Sequence, residues 1–268
     1  MRFLMLSLLM MVSLISSAFA GEIKGNFKFP SDIAVKKGNI FVVDGLNNRV
    51  VKLNEDGDVV STFAVKKPYG IYVSDEKIYL STTDGNILIL DFSGNVLKKF
   101  NVGGRLVDLV VLGGKIWVVD ASNDCVKIIS EDDGNLVKIV GEKGSTPGEF
   151  VSPFMIATDG DEVYVVDSIN ARVQVFNKKG EFERTFGEFG IEEGDLFRPK
   201  GIAVFNGEVA VSDVITGAVQ LFNPYGAFDG VVAKGLQYPM AIAYEKGVIY
   251  VLEPLKNKIL TFKVQGVK

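Results

Sequence analysis

The stretch Val163-Tyr164-Val165-Val166-Asp167 is an unbroken run of β-forming side chains that ends in an acid. Similar runs recur along the chain with their last residues 38 to 47 positions apart, and in one of them a threonine replaces the acid. The other five runs span residues 40–44, 78–82, 116–120, 209–213 and 249–253. Repeat lengths of about 40 residues built from short β-forming runs are typical of four-stranded propeller blades. The sequence therefore predicts six copies of one β unit.

Each unit contains four predicted strands. Prolines at 30, 68, 153, 199 and 239 stand just before the first strand in five units, where a missing N–H breaks no ladder bond. The third unit has Leu106 at the equivalent place. The second strand is the run that ends in the acid, and the third begins five residues after the acid in most units. A glycine turn and a fourth strand complete the unit, as expected for an antiparallel meander.

The last unit lacks a fourth strand, because the chain ends two residues after its turn glycine, Gly266. A spare extended segment, residues 22–29, precedes the first unit. We expect this segment to complete the sixth unit, since ring closure removes the exposed edges of an open array. The predicted fold is all-β, a six-bladed β-propeller of four-stranded blades over residues 21–268, with an N-terminal strand completing the last blade.

Three motifs give these units a family resemblance. The first is Val165-Val166-Asp167-Ser168-Ile169-Asn170-Ala171-Arg172-Val173, the second is the Pro-x-x-Ile-Ala-Val pattern at 30–35 and 199–204, and the third is a glycine-rich run at 141–153 repeated at 187–199. Together they resemble NHL repeats across essentially the whole of residues 21–268. The resemblance implies a propeller that serves in protein–protein contact. WD40 signatures require a histidine that this chain lacks, and paired glycines of the kelch kind occur only in the third unit.

The first twenty residues have the pattern of a secretory signal peptide. Arg2 is followed by an apolar run over 3–15, and Ala18-Phe19-Ala20 offers small residues at the positions that a signal peptidase requires. The apolar run is shorter than the roughly 20 residues of a membrane-spanning helix. We therefore predict cleavage before Gly21 and an exported protein, periplasmic or extracellular, with no stable membrane insertion afterwards.

Composition excludes several kinds of chemistry. The 268 residues contain no histidine and one cysteine, Cys125, so His-based triads, dyads and zinc sites are ruled out. The formal net charge of -4 argues against nucleic acid as a partner. No neighbouring histidine lowers the pKa of Cys125, and we expect an inert, partly buried thiol.

Acid–arginine pairs recur at the end of the second strand. Asp44 with Arg49 and Asp167 with Arg172 can be interpreted as ligand-binding or as structural pairs that close a hairpin. The acid position recurs through the units, whereas functional sites seldom recur in several blades, and we therefore predict structural pairs. The third and fifth units keep the acid but lack the cation, with Cys125 and Ala218 at its place.

A metal at the mouth of the channel is a further alternative. Six-bladed relatives such as the gluconolactonase-like enzymes carry Ca²⁺ there, and the equivalent ring of this chain reads Asp32, Gly70, Asp108, Met155, Gly201 and Ala241. Two carboxylates are few for an ion that takes 6–8 oxygens. We predict no cofactor and no catalytic residue. A metal-dependent hydrolase or lyase is the alternative function, with channel Ca²⁺ as its ion.

One set of residues brings aromatic and cationic side chains together. Residues next to the first strand of different units converge on one channel mouth, because that strand is innermost in a propeller. The predicted ligand-binding residues are Tyr69, Arg105, Asp108, Phe154, Lys200 and Tyr238. Aromatic and cationic groups together suit recognition of a protein, a peptide or a small polar ligand. The same residues can instead plug the channel, and the sequence leaves both interpretations open. The predicted function is a non-enzymatic binding or scaffold module.

Overall fold

The structure is a computed structural model that describes residues 16–265. The predicted leader up to residue 15 and the turn at Gly266 lie outside the described residues. The first twelve strands are β1 (Ser16–Lys24), β2 (Asp32–Lys36), β3 (Asn39–Asp44), β4 (Arg49–Leu53), β5 (Val59–Ala64), β6 (Pro68–Val73), β7 (Ile78–Thr82), β8 (Asn86–Leu90), β9 (Val96–Asn101), β10 (Leu106–Leu112), β11 (Lys115–Asp120) and β12 (Cys125–Ser130). The other twelve are β13 (Leu136–Val140), β14 (Pro153–Thr158), β15 (Glu162–Asp167), β16 (Arg172–Asn177), β17 (Phe182–Phe186), β18 (Pro199–Phe205), β19 (Glu208–Asp213), β20 (Ala218–Phe222), β21 (Phe228–Ala233), β22 (Ala241–Glu245), β23 (Val248–Glu253) and β24 (Lys258–Gln265).

These strands form six four-stranded antiparallel sheets, as the repeats predict. Blades one to five each use four consecutive strands, from β2–β5 for blade one to β18–β21 for blade five. Blade six is ordered β22, β23, β24, β1. A 3-10 turn at Gly45–Asn47 is the one helical element among residues 16–265. None of the helical structure in that range is long and apolar enough to cross a membrane.

Burial follows strand position within the blade. The second strands are buried along nearly their whole length, since their two faces pack against the blades on either side. Trp117, Tyr164 and Phe41 on these strands are fully buried. The outer strands are largely exposed, for example β13. The core therefore lies between blades, and alternating apolar residues on both faces of the middle strands hold neighbouring blades together.

The ring is closed by the N-terminal strand, but the strand lies earlier than the sequence predicts. The predicted segment 22–29 contributes only its first three residues, and β1 begins at Ser16. Gly25 donates its N–H to the Asn257 carbonyl, and the backbone of Lys28 donates to Asp44. Residues 25–29 therefore lead the chain from blade six to blade one and form no strand.

A repeated contact shows where β1 fits the propeller pattern. In each of blades one to five, the turn glycine after the third strand has a positive φ and packs so closely on the preceding outer strand that a Cβ would collide with a side chain there. The pairs are Gly57 with Ile23, Gly94 with Phe63, Gly134 with Phe100, Gly180 with Val140, and Gly226 with Phe186. Ile23 occupies the place that Phe63 occupies one blade later. The closing contact therefore belongs to a residue that follows the predicted cleavage point.

Candidate functional site

The first strands of the six blades surround a central channel of about 210 Å³. In blades two to five this strand has an irregular register immediately after its first residue, as between Pro68 and Ile71 or between Pro199 and Ile202. Bulges of this kind redirect side chains and are common beside functional sites. Tyr69, Phe154 and Lys200 each lie in such an irregularity. Local backbone geometry therefore positions the predicted site residues.

Four of the predicted residues contact one another where the first strands of their blades begin, the end of the channel that the sequence predicts as its mouth. The rings of Tyr69 and Phe154 meet edge to face with centroids 6.2 Å apart. The Nζ of Lys200 lies 3.7 Å from the centroid of the Phe154 ring, and the guanidinium of Arg105 lies 5.8 Å from that of Tyr69. Cations over aromatic faces are stabilised by the ring quadrupole. Tyr238 is half-buried against the same core and is near enough to raise the pKa of Tyr69. These five residues are called the mouth cluster below.

The mouth cluster is strongly cationic. Burial, and then Arg198 and Arg105, lower the pKa of Lys200 to about 8. In the part of the chain that the structure describes, none of these three side chains forms an ion pair. Arg198 stands two residues before Lys200 in the loop that leads to the same strand, and on the sequence it belongs to the same group of loop cations, although it is not among the predicted ligand-binding residues.

Asp108 belongs to a carboxyl pair that is buried among the first strands. Its two oxygens accept the backbone N–H groups of Leu109 and Ile156 at 2.7 and 3.0 Å. Asp32 accepts from Ile33 and Ile71 in the same way, at 2.7 Å each. The two side chains share a hydrogen bond. Burial raises the pKa of Asp108 to about 7, and burial together with Asp108 raises that of Asp32. The pair thus retains a proton near neutrality.

This carboxyl pair does not fit a Ca²⁺ ion. All four of its oxygens already accept backbone N–H groups, and the other ring positions are Gly70, Met155, Gly201 and Ala241. Gly70 is required there, because a Cβ would lie 2.3 Å from the carbonyl oxygen of Val107. Among residues 16–265, no group of three or more metal-ligating side chains is present. The donors are too few for the 6–8 oxygens that Ca²⁺ takes.

The acid–arginine pairs lie in hairpins and also bind the preceding loop. Arg49 Nε donates to Asp44 at 2.6 Å, and Arg172 Nε donates to Asp167 at 2.8 Å. Each carboxylate is fully buried and also accepts a backbone N–H from the segment before the first strand. The contacts are those of the predicted structural pairs, and the role itself stays a prediction.

In blade three, the buried acid has a cationic partner that was not among the predicted pairs. Asp120 pairs with Lys127 Nζ at 2.7 Å, two positions after the place where other blades carry the cation. Alternate residues of a strand share a face, and that spacing is the signal that would have found it. Cys125 occupies the usual cation position, is buried, and has its pKa raised to about 11 by that burial. A thiol with that pKa stays protonated at neutral pH.

The sequence has no match to any family model and none to curated proteins. Solved structures are similar in fold. A streptogramin B lyase superimposes with a TM-score of 0.69 at 13% identity, covering 94% of this chain and 98% of the other. The virginiamycin B lyase of Staphylococcus aureus gives 0.66 at 14% identity, covering 93% and 99%. BamB from Moraxella catarrhalis gives 0.53 at 14% identity, covering 86% and 71%. At these identities the likeness defines the class, a six-bladed β-propeller, and leaves the function open.

Proposed function

We propose that this protein is an exported, non-enzymatic binding propeller of the NHL type, whose ligand is recognised at the channel mouth. The observation that carries the proposal is the mouth cluster. Five blades contribute one residue each, and the cluster combines aromatic faces with cations that lack ion-pair partners among residues 16–265. Aromatic side chains and arginine are the residues that dominate binding energy at recognition surfaces.

Fold likeness supports binding and catalysis alike, since the similar structures include lyases as well as BamB. Cys125 is a protonated thiol at neutral pH and does not line the channel, so it supplies no nucleophile there. The carboxyl pair does line the channel and its oxygens each keep a second lone pair, so the preference for binding rests on the mouth cluster.

The channel-mouth proposal is tested by the double variant Arg105→Ala with Lys200→Ala. A partner is captured from the cell-envelope fraction on immobilised wild-type protein, identified, purified, and its affinity measured by surface plasmon resonance. We expect the double variant to lose at least about tenfold in affinity while its melting temperature stays close to that of the wild type. The matched control is Asp56→Ala with Lys178→Ala in the turns at the other end. Loss confined to the control pair would move the binding surface to that end.

Cleavage before Gly21 would leave part of the ring closure in place, although β1 begins within the predicted leader. After cleavage before Gly21, four residues of β1 remain paired with β24, among them Ile23 with its contact to Gly57. The contacts of Ser16–Ala20, such as the hydrogen bond from Ser17 Oγ to the Val232 carbonyl, would be lost. N-terminal sequencing of the protein from its native envelope tests this. Gly21 as the first residue supports export, and an intact N-terminus in the cytoplasmic fraction contradicts it.

A further inference from the structure

We infer that the mouth cluster binds a carboxylate, whose oxygens are held by Arg105 and Lys200 while the attached apolar body lies against the tyrosine rings. The inference rests on the proposed function and names the ligand chemistry of that site. It applies equally to a small organic acid and to the free carboxyl terminus of a peptide, because both present the same planar anion.

The local charge near the mouth cluster is positive, opposite in sign to the net charge of the chain. The protein has a formal net charge of -4, yet Arg105, Arg198 and Lys200 gather at one channel mouth. Arg198 and Lys200 are half-buried and Arg105 is exposed, and like charges at close range destabilise one another. No side-chain hydrogen bond or ion pair within the described residues relieves this repulsion for the three groups. An anion supplied from outside is the group that would relieve it.

Asp108 does not neutralise these cations. Asp108 stands only three residues after Arg105 but makes no ion pair with it. The carboxyl oxygens of Asp108 are bonded to Leu109 and Ile156, and the group shares a hydrogen bond with Asp32. The carboxyl pair is thereby committed to the backbone of the first strands. Within residues 16–265, the cations of the mouth cluster are thus left without an ion-pair partner.

The position of Lys200 over an aromatic ring favours contact with a carboxylate. Its ammonium lies 3.7 Å from the Phe154 centroid, where the ring face replaces part of its hydration. Cation–π contacts stabilise an ammonium less than an ion pair with a desolvated carboxylate does. A carboxylate entering between Lys200 and Arg105 therefore competes well for the ammonium. The guanidinium fork of Arg105 matches the two oxygens of a carboxylate.

The aromatic members suit an apolar body behind the anion. Tyr69 and Tyr238 are half-buried at the rim, and burial raises the pKa of Tyr69 to about 12. The Tyr69 hydroxyl is therefore a donor across the physiological pH range and complements an acceptor ligand. Aromatic faces at the rim offer contact area at low entropic cost.

Binding should be linked to the protonation of Lys200. The titratable and charged groups that act on Lys200 are Arg198 and Arg105, and those that act on Tyr69 of the same cluster are Arg105, Asp32, Tyr238 and Asp108. The hydroxyl of Tyr69, whose pKa is about 12, keeps its proton between pH 7 and 9, and Asp108 titrates near 7. Affinity for a carboxylate should therefore fall as pH rises through about 8, where Lys200 loses its proton. Lys200→Met should abolish this step and leave any step near pH 7 in place.

The experiment is isothermal titration of purified protein with benzoate, benzamide and a pair of otherwise identical short peptides that end in a free carboxylate or an amide. We expect benzoate to bind and benzamide to bind at least about tenfold more weakly, since only the anion makes charge-assisted hydrogen bonds. Lys200→Met and Arg105→Met should each weaken benzoate binding by about tenfold or more. Lys99→Met, an exposed lysine on β9, is the control and should leave it unchanged.

Each outcome bears on one proposal. Equal affinity for benzoate and benzamide, or full benzoate affinity in Lys200→Met, overturns the carboxylate inference. Selective binding of the free-acid peptide over both benzoate and the amide identifies a chain terminus as the source of the anion. If benzoate binds as expected while the envelope partner still binds Arg105→Ala with Lys200→Ala, the carboxylate site stands and the proposed role in partner recognition fails.

Discussion

Blades four and five carry the same sequence pattern but satisfy their buried acids with different groups. Asp167 accepts from Arg172, from Asn170 and from one backbone N–H. Asp213 has Ala218 where Asp167 has an arginine partner, and it accepts four backbone N–H groups, from Phe197, Arg198, Ile215 and Thr216. The recurring acid therefore requires several N–H donors, and a cation is only one way to supply them.

Glu162 of blade four and Glu208 of blade five are also equivalent acids, and their surroundings differ more. Glu162 in blade four is held by both terminal nitrogens of Arg184 at 2.6 and 2.5 Å. Blade five has Glu208 at that position but Gly230 in place of the arginine. Burial, with a smaller effect of Asp229, raises the pKa of Glu208 to about 7. The same repeat position is thus an ion pair in one blade and a poorly solvated lone acid in the next.

The largest expected effect is that of Arg172→Ala. In the wild-type protein, the guanidinium of Arg172 donates to the buried Asp167 and to three backbone carbonyls of the preceding loop. The change removes all of these hydrogen bonds and leaves Asp167 without its cation. Loss of one partner of a buried pair typically destabilises by about 3 kcal/mol or more. Urea unfolding measures the loss. Arg49→Ala in blade one is the control and should lose less, because the side chain of Arg49 is 32% exposed and that of Arg172 is 11% exposed. Equal losses would mean that burial does not set the difference.

Asp167→Ala and Asp213→Ala should each destabilise the fold by about 1–3 kcal/mol, the usual range for buried donors that lose their acceptor. Similar losses are expected, because both acids serve several donors although only one has a cation. Benzoate binding by the folded variants should persist, since neither acid belongs to the mouth cluster. An Asp167→Ala protein with wild-type stability and no ligand binding would contradict the predicted structural role.

At pH 8, Glu208→Gln and Glu162→Gln should change the stability of the fold in opposite directions. The pKa of Glu208 rises from about 4.5 in the unfolded chain to about 7 in the fold, so its stabilising effect is complete below 4.5 and is lost as pH rises through 7. Glutamine removes that loss, and Glu208→Gln should be more stable than wild type at pH 8 by up to about 1 kcal/mol after solvent screening. Glu162→Gln should be less stable, because Arg184 hydrogen bonds hold the pKa of Glu162 below its usual range. Melting temperatures at pH 4.5 and 8 provide the measurement.

The smallest expected effect is a difference in local hydrogen exchange between the variants Gln220→Ala and Gln174→Ala. Each amide holds the loop that precedes its own blade, accepting from the backbone N–H of Gly194 or Gly148 at 2.7 Å. In blade four Arg172 also holds that loop through the Glu149 carbonyl, whereas Ala218 in blade five has no such reach. Hydrogen exchange should therefore speed up more at Gly194 in Gln220→Ala than at Gly148 in Gln174→Ala. Equal acceleration would show that Arg172 gives the loop no second restraint.

Most of the fold was predictable, because five of the six blades are each formed by four consecutive strands. The runs that end in Asp44, Asp120, Asp167, Asp213 and Glu253 correspond to second strands in the structure. The closing strand was misplaced, since residues 16–20 resemble a leader while their pairing with β24 depends on residues more than 240 positions away. Nothing local to that segment specifies its partner.

The sequence by itself determined the number of blades and the limits of most strands, because alternation, turn glycines and repeat length are local and periodic. Tertiary structure alone decided how the charges are matched. Lys127 replaces the missing cation of blade three, Asp32 shares a hydrogen bond with Asp108 across blade two, and Arg198 joins Lys200 at the mouth. These contacts join residues of different blades or different strand positions. Burial and distance set their pKa values, and both exist only once the ring has closed.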